Sequence, residues 1–180
     1  KSADPELRIA SDGALPFLVM RSSGTTGDPK IGILTHAAAN ARLDQHAYQL
    51  PVGPGCRFLS LVHISFIGVK QRAYCCVNSG GCLVLAEKSE PQGLPIFSAE
   101  HRINYLDMLP VHTVHLLKIA RENKLLFPDI EAFRIGATIV PESLRKEIQK
   151  RLTPNLYIGY GSNEVGIISV ATPAMVRRNS

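Results

Sequence analysis

Short apolar runs alternate with longer segments of helical character along this chain, and glycine or proline separates most of them. Leu15 to Met20 is an apolar run ending at a Ser/Gly/Thr-rich stretch, and Ile31 to Leu34 reads as the returning strand. Thr35 is placed to cap an Ala-rich helix over Ala37 to Leu50, which Pro51-Val52-Gly53-Pro54-Gly55 stops. Phe58 to Val62 reads as a buried strand, Val69 to Val77 as a helix ended by Gly80-Gly81, and Cys82 to Ala86 as a short strand. Lys88 to Pro95 reads as a polar surface loop and Asn104 to Asp107 as a strand. Pro110 opens a helix to about Glu122, with Val111, Val114, Leu117 and Ala120 on one face. Phe133 to Ile135 is a strand leading to Gly136, and Pro141 opens a helix carrying Leu144, Ile148 and Leu152. Leu156 to Ile158 is a strand running into Gly159-Tyr160-Gly161, and Ile167 to Val170 is a last strand. This β–α alternation predicts an α/β fold with a largely parallel sheet flanked by helices.

At 180 residues the chain is one domain or a piece of a larger one. Its 45% hydrophobic and 19% charged residues exclude a disordered tail, a collagen and a long coiled coil. No run of about 18 apolar residues predicts a membrane span. Lys1 to Glu6 has no apolar stretch of the kind a leader peptide needs. The formal charge of +5 suits an anionic ligand such as a nucleotide. The basic residues are scattered, and Arg145 to Arg151, which includes Glu147, reads as a solvated helix face. Six per cent aromatics and no tryptophan argue against a base-stacking, nucleic-acid-binding surface. Cys56, Cys75, Cys76 and Cys82 match no zinc spacing and read as reduced core residues of a cytoplasmic protein. His36, His46, His101, His112 and His115 have no visible metal or triad partners, so none receives a catalytic role.

Two loops stand out, both directly after a predicted strand, where open α/β sheets bind ligands. In Ser22-Ser23-Gly24-Thr25-Thr26-Gly27-Asp28-Pro29-Lys30, four hydroxyls, two glycines and a terminal lysine occupy nine residues. Glycines let backbone N–H groups turn toward an anion, hydroxyls add donors, and the lysine adds a point charge. This is chemistry for a polyphosphate, but the spacing is not that of the P-loop. The second loop, Gly159 to Gly166, contains Tyr160, Gly161, Asn163 and Glu164.

The first string, with Ile33-Leu34-Thr35-His36 after it, closely resembles the signature of the adenylate-forming superfamily. That superfamily comprises acyl- and aryl-CoA ligases, luciferases and the adenylation domains of peptide synthetases. Tyr160-Gly161-Ser162-Asn163-Glu164 resembles its YGxTE motif, and Arg134-Ile135-Gly136-Ala137 with Pro141 resembles its GGAP-type segment. The similarity covers about Leu15 to Ala171. It implies that the chain (1–180) is the core portion of the large N-terminal domain. The implied reaction is ATP-dependent activation of a carboxylic acid to acyl-AMP, followed by transfer to a thiol such as that of coenzyme A. Carried over residue by residue, Ser22, Ser23, Gly24, Thr25, Thr26, Gly27 and Lys30 would hold the β- and γ-phosphates. Gly136, Ala137, Tyr160 and Gly161 would form the adenine pocket, and Glu164 would hold Mg²⁺. Asn163 replaces the threonine that contacts the α-phosphate, so Lys30, Asn163 and Glu164 are the residues expected to take part in the chemistry.

The resemblance also places His63, Phe66 and Gly68 beside the acid substrate. Arg57 to Lys70 contains no Asp or Glu. An ammonium group would be left unpaired there, so a fatty or aromatic acid is expected rather than an amino acid. His63 is open to two readings: it orients the acid, or it is a packed core histidine. Ile31 stands where the family usually has glycine. Twenty-one residues precede Ser22 and 16 follow Glu164. The family's ribose-binding aspartate and its C-terminal lid domain with a catalytic lysine are therefore expected to be missing. The rival expectation is a non-catalytic nucleotide-binding or interaction module, or an inactive ligase fragment.

Overall fold

A computed structural model of the protein describes residues 12–22, 30–86 and 92–178. The chain begins with an antiparallel ribbon of β1 (Pro16–Ser22) and β2 (Lys30–Thr35), in which Ser22 pairs with Lys30. The expected phosphate loop joins these two strands in sequence, and Ser23, Gly24, Thr25, Thr26 and Gly27 lie outside the described residues. Helix α1 (His36–Gln49) follows at once, because the Thr35 hydroxyl accepts from the Ala38 N–H at 3.3 Å and supplies the cap.

The main sheet has six strands in the order β4-β3-β5-β6-β7-β8. These are β3 (Arg57–Ser60), β4 (Cys82–Leu83), β5 (Tyr105–Met108), β6 (Ala132–Gly136), β7 (Leu156–Ser162) and β8 (Gly166–Ala171). β3 to β7 run parallel and β8 returns antiparallel to β7. Between them lie α2 (Ile67–Asn78), α3 (Leu94–Glu100), α4 (Pro110–Ile119) and α5 (Glu142–Glu147), the last continuing as a π-helical turn over Ile148–Leu152. Helix α6 (Pro173–Arg178) follows β8. The expected parallel α/β sheet flanked by helices is thus present.

Side chains alternate across each strand with a period of two. Leu59, Leu106, Met108, Phe133, Ile135 and Leu156 face one side and pack with Leu94, Leu116, Ile148, Leu152 and Val176 from the helices. Phe58, Tyr105 and Ala132 face the other side, with Ala73 and Cys76 of α2. Each fully buried leucine or phenylalanine adds about 1.5–3 kcal/mol, so these two layers hold the sheet. Asp107 follows Tyr105, and Arg134 follows Ala132, by two residues; both therefore point to the α2 side.

Several expectations are corrected. The Lys88–Pro95 surface loop gives way at Leu94 to α3, and Leu94 is fully buried. Its Gly-Leu-Pro start resembles a turn, but Pro95 occupies a first-turn position that costs the helix no hydrogen bond. On α4 the buried face is Pro110, Thr113 and Leu116, while Val111 and Val114 are exposed. The chain leaves β5 straight into Pro110, which fixes the helix rotation, and the Thr113 hydroxyl satisfies itself on the Pro110 carbonyl at 2.6 Å. Cys56, Cys75 and Cys76 are buried free thiols, but Cys82 is exposed on the sheet-edge strand β4. The expected Gly159–Gly166 loop is mostly strand: β7 continues to Ser162, and only residues 163–165 form the turn into β8. Strand glycines raised the expectation of a loop there, but Gly161 is needed for close pairing, since a Cβ on it would sit 2.2 Å from the Gly166 carbonyl oxygen.

Candidate functional site

A cleft of about 300 Å³ opens beyond the C-terminal ends of β6 and β7. Phe66, Gly68, Ala137, Tyr160, Gly161 and Asn163, six of the sequence-predicted residues, line it together. Ala137 has φ 71°, a left-handed conformation that costs a non-glycine residue roughly 1–2 kcal/mol. The strain lies at the point where β6 turns away from the sheet and opens the cleft. Tyr160 and Phe66 present 67% and 62% of their surface to solvent, so two aromatic rings stand at the mouth.

The other expected residues fall nearby. Gly136 pairs with Gly159 across β6 and β7, and a Cβ on it would meet the Gly159 carbonyl oxygen at 2.5 Å. His63 lines an adjoining hollow with Ser60 and Val62. It is exposed, with Nδ1 accepting from the Ser65 N–H at 3.2 Å and lying 2.7 Å from the Ser65 hydroxyl. The packed-core reading of His63 is therefore overturned. Glu164 sits in the β7–β8 turn, exposed. Lys30 opens β2, where its backbone closes the ribbon against Ser22.

Three features were missed in the sequence. The first is Arg42 on α1. Its Nη1 donates to the Asn163 carbonyl at 3.2 Å and approaches Met20 Sδ of β1 at 3.9 Å, and its Nη2 donates to the Glu164 carbonyl at 2.5 Å. One guanidinium thus joins the ribbon that carries the Ser/Gly/Thr loop to the turn that carries Asn163 and Glu164. Burial lowers the Arg42 pKa, and the nearby Glu164 charge opposes that shift.

The second is a buried ion triad on the cleft floor. Asp107, fully buried, accepts from Arg72 Nη2 at 2.7 Å and from Arg134 Nη1 at 3.0 Å. Strand register assembles it: Asp107 of β5 is level with Ser60 of β3 on one side and Arg134 of β6 on the other. The Ser60 hydroxyl adds a donor to Asp107 at 3.2 Å. Burial lowers the Arg134 pKa and the Arg72 charge lowers it further, while Asp107 opposes both.

The third is His46 of α1, 2% exposed, with neither ring nitrogen hydrogen-bonded among the described residues. Burial, followed by the Arg72 charge, lowers its pKa to about 4, so the ring is neutral at physiological pH. Two arginines against one aspartate leave the cleft floor with one net positive charge.

Comparisons with known proteins identify the family and the fold. The sequence model of the family described as "AMP-binding enzyme" matches residues 4–180. Indoleacetate–CoA ligase of Aromatoleum aromaticum is 27% identical over 169 residues, covering 92% of this chain and 32% of that protein. Nonribosomal peptide synthetase GRA1 of Gibberella zeae is 26% identical over 159 residues, covering 87% of this chain and 2% of its own length. The chain thus spans about a third of the ligase and a small part of the synthetase. Among solved structures, o-succinylbenzoate coenzyme A synthetase (MenE) from Bacillus subtilis, in complex with ATP and magnesium ion, superposes with a TM-score of 0.81. It is 19% identical over 93% of this chain and 34% of that one, which establishes the shared fold. Fold, clustered motif residues and a match over nearly the whole length lead to one conclusion: the chain belongs to the AMP-binding enzyme family.

Proposed function

We propose that this chain contributes the nucleotide- and acid-binding core of an ATP-dependent acid–thiol ligase. A carboxylate oxygen attacks the α-phosphorus of ATP, the bond to the β-phosphate oxygen breaks, and pyrophosphate leaves. A thiol such as that of coenzyme A then attacks the acyl carbon of the mixed anhydride, releasing AMP and a proton. The carrying observation is that Ala137, Tyr160, Gly161 and Asn163, from motifs far apart in sequence, line one cleft at the C-terminal edge of a parallel sheet.

In this reading the Tyr160 ring and the strained Ala137 backbone offer a flat face to a purine. Ser22 to Lys30 neutralise and orient the β- and γ-phosphates, including the departing pyrophosphate. Asn163 donates its amide to the α-phosphate oxygen. Among the described residues no three His, Cys, Asp or Glu side chains form a metal cluster. As the resemblance of Tyr160 to Glu164 to the family motif implies, a divalent cation would rest on Glu164 with phosphate oxygens and water, a donor set that suits Mg²⁺. Bound there, Mg²⁺ would neutralise phosphate charge. The acid's carbon skeleton would lie between Phe66, Gly68 and the cleft floor, and His63 would stand at the neighbouring hollow.

The test is calorimetry with ATP and with adenosine on the unmodified chain and on Lys30→Ala, together with acid-dependent pyrophosphate exchange. Lys30→Ala should weaken ATP binding by about 1.5–3 kcal/mol and leave adenosine binding unchanged. Equal loss for both ligands, or none for either, would remove the phosphate role. Asn163 in the threonine position favours a second reading, nucleotide binding without turnover; ATP binding with no exchange for any acid would select it.

A further inference from the structure

The buried triad on the cleft floor asks for a charge that none of the described residues supplies. Arg72 and Arg134 are 7% and 9% exposed, and Asp107 is fully buried. Each arginine gives one N–H to Asp107, and no described residue accepts from Arg72 Nη1 or Arg134 Nη2. Arg72 Nε and Arg134 Nε are also buried without a partner. Both side chains line the same cleft as Tyr160 and Asn163. Arg134 lies against β7 so closely that a Cβ at Gly159 would fall 2.4 Å from its Nη2. His46 and Gln71 complete the polar wall.

A guanidinium held in a buried position is costly unless an anion compensates it. Asp107 can neutralise one of the two. The second keeps its charge, with free N–H groups in a fixed fork that suits planar oxyanions. A purely hydrocarbon tail laid on this floor would cover the charge and leave those donors unpaired. An ammonium group would meet two cations and an aspartate already engaged by both.

We infer that the acid taken by this cleft carries, at the end remote from the carboxylate to be activated, a second anionic group that binds the unpaired edge of Arg72 and Arg134. The inference rests on the acid-activation reading and names its substrate class: aliphatic or aromatic dicarboxylic acids, or their close oxyanion equivalents.

The experiment titrates the unmodified chain, at saturating ATP, with hexanedioate, its monomethyl ester and hexanoate. A second series uses benzene-1,4-dicarboxylate, its monomethyl ester and benzoate. Each diacid should bind at least about tenfold tighter than its half-ester and its monoacid, as a charge-assisted fork predicts. In Arg134→Gln, which leaves Arg72 and Asp107 balanced, that advantage should shrink to less than about threefold. The ligand series on the unmodified chain decides the matter even if that variant folds poorly. Equal affinity for all three acids of a series overturns this inference and leaves acid activation standing. Binding of ATP with no acid of any kind overturns the acid-activation reading itself. Loss of ATP and diacid affinity together in Arg134→Gln assigns the arginines to nucleotide phosphate and overturns the inference.

Discussion

Arg42 Nη2 donates to the carbonyl oxygen of Glu164 at 2.5 Å, across 122 residues of sequence. The same guanidinium reaches the Asn163 carbonyl and Met20, so it holds the β7–β8 turn against the ribbon. The two site motifs therefore have a common fixed point that belongs to neither. Arg42→Ala should lower stability by about 1 kcal/mol, because the bonds are charge-assisted but partly solvated. It should slow adenylate formation by about tenfold, because the turn loses its anchor. Arg42→Lys should not restore the rate, since its donors sit on one nitrogen and lack the planar spread by which Nη1 and Nη2 reach the two carbonyls. Urea unfolding and single-turnover adenylate formation measure the two effects.

His46 gives the fold a pH dependence. Its pKa falls from the ordinary 6.5 to about 4 in the folded chain, burial being the main cause and the Arg72 charge the next. Below pH 6.5 the unfolded chain takes up a proton that the folded chain refuses. The stabilising contribution is therefore complete above 6.5 and is lost as pH falls toward 4, amounting to about 3 kcal/mol in all. His46→Gln should flatten this part of the stability–pH curve. Urea midpoints at several pH values across that window, compared between the two proteins, give the answer; parallel curves would remove His46 as the source.

Asn163 departs from the threonine of the family motif and lines the cleft. A hydroxyl is compact and can approach the α-phosphate, whereas the longer amide must turn its NH₂ group inward. A well-aimed donor to developing charge is worth roughly 2.7–4 kcal/mol, and in the proposed reading the amide would supply part of it. Asn163→Thr should therefore raise the single-turnover adenylation rate by about tenfold. An unchanged or lower rate would make Asn163 a working donor in its own right.

The four cysteines separate by exposure. Cys82 is exposed, while Cys56, Cys75 and Cys76 are buried. Burial raises the Cys75 pKa, which slows its reaction further. A thiol reagent should label Cys82 alone under native conditions and the other three only on unfolding. Rapid labelling of a second cysteine, identified by peptide mass analysis, would contradict this arrangement.

Much of this protein is written locally. The α/β alternation, the Thr35 cap and the Tyr160–Glu164 motif are visible because capping, turn chemistry and hydrophobic period act over a few residues. Local signals failed where packing overrides them. The strand through Gly159 and Gly161 looks like a loop until the Arg134 side chain, which excludes a Cβ at Gly159, and the Gly166 backbone, which excludes one at Gly161, are in place. The rotation of α4, which leaves Val111 and Val114 exposed, is set by the path out of β5.

The charged floor of the cleft was the least legible part. Arg72, Asp107 and Arg134 each resemble ordinary polar residues of a helix or strand in sequence. Only the parallel register that sets Asp107 level with Arg134, and the packing of α2 over that face, puts them within hydrogen-bonding distance. The sequence alone determined that the chain would form a nucleotide-type α/β fold, because local propensity and two motifs suffice for that. Tertiary structure decided which charges line the cleft, because a strand's register and a helix's rotation depend on contacts between residues far apart in the chain.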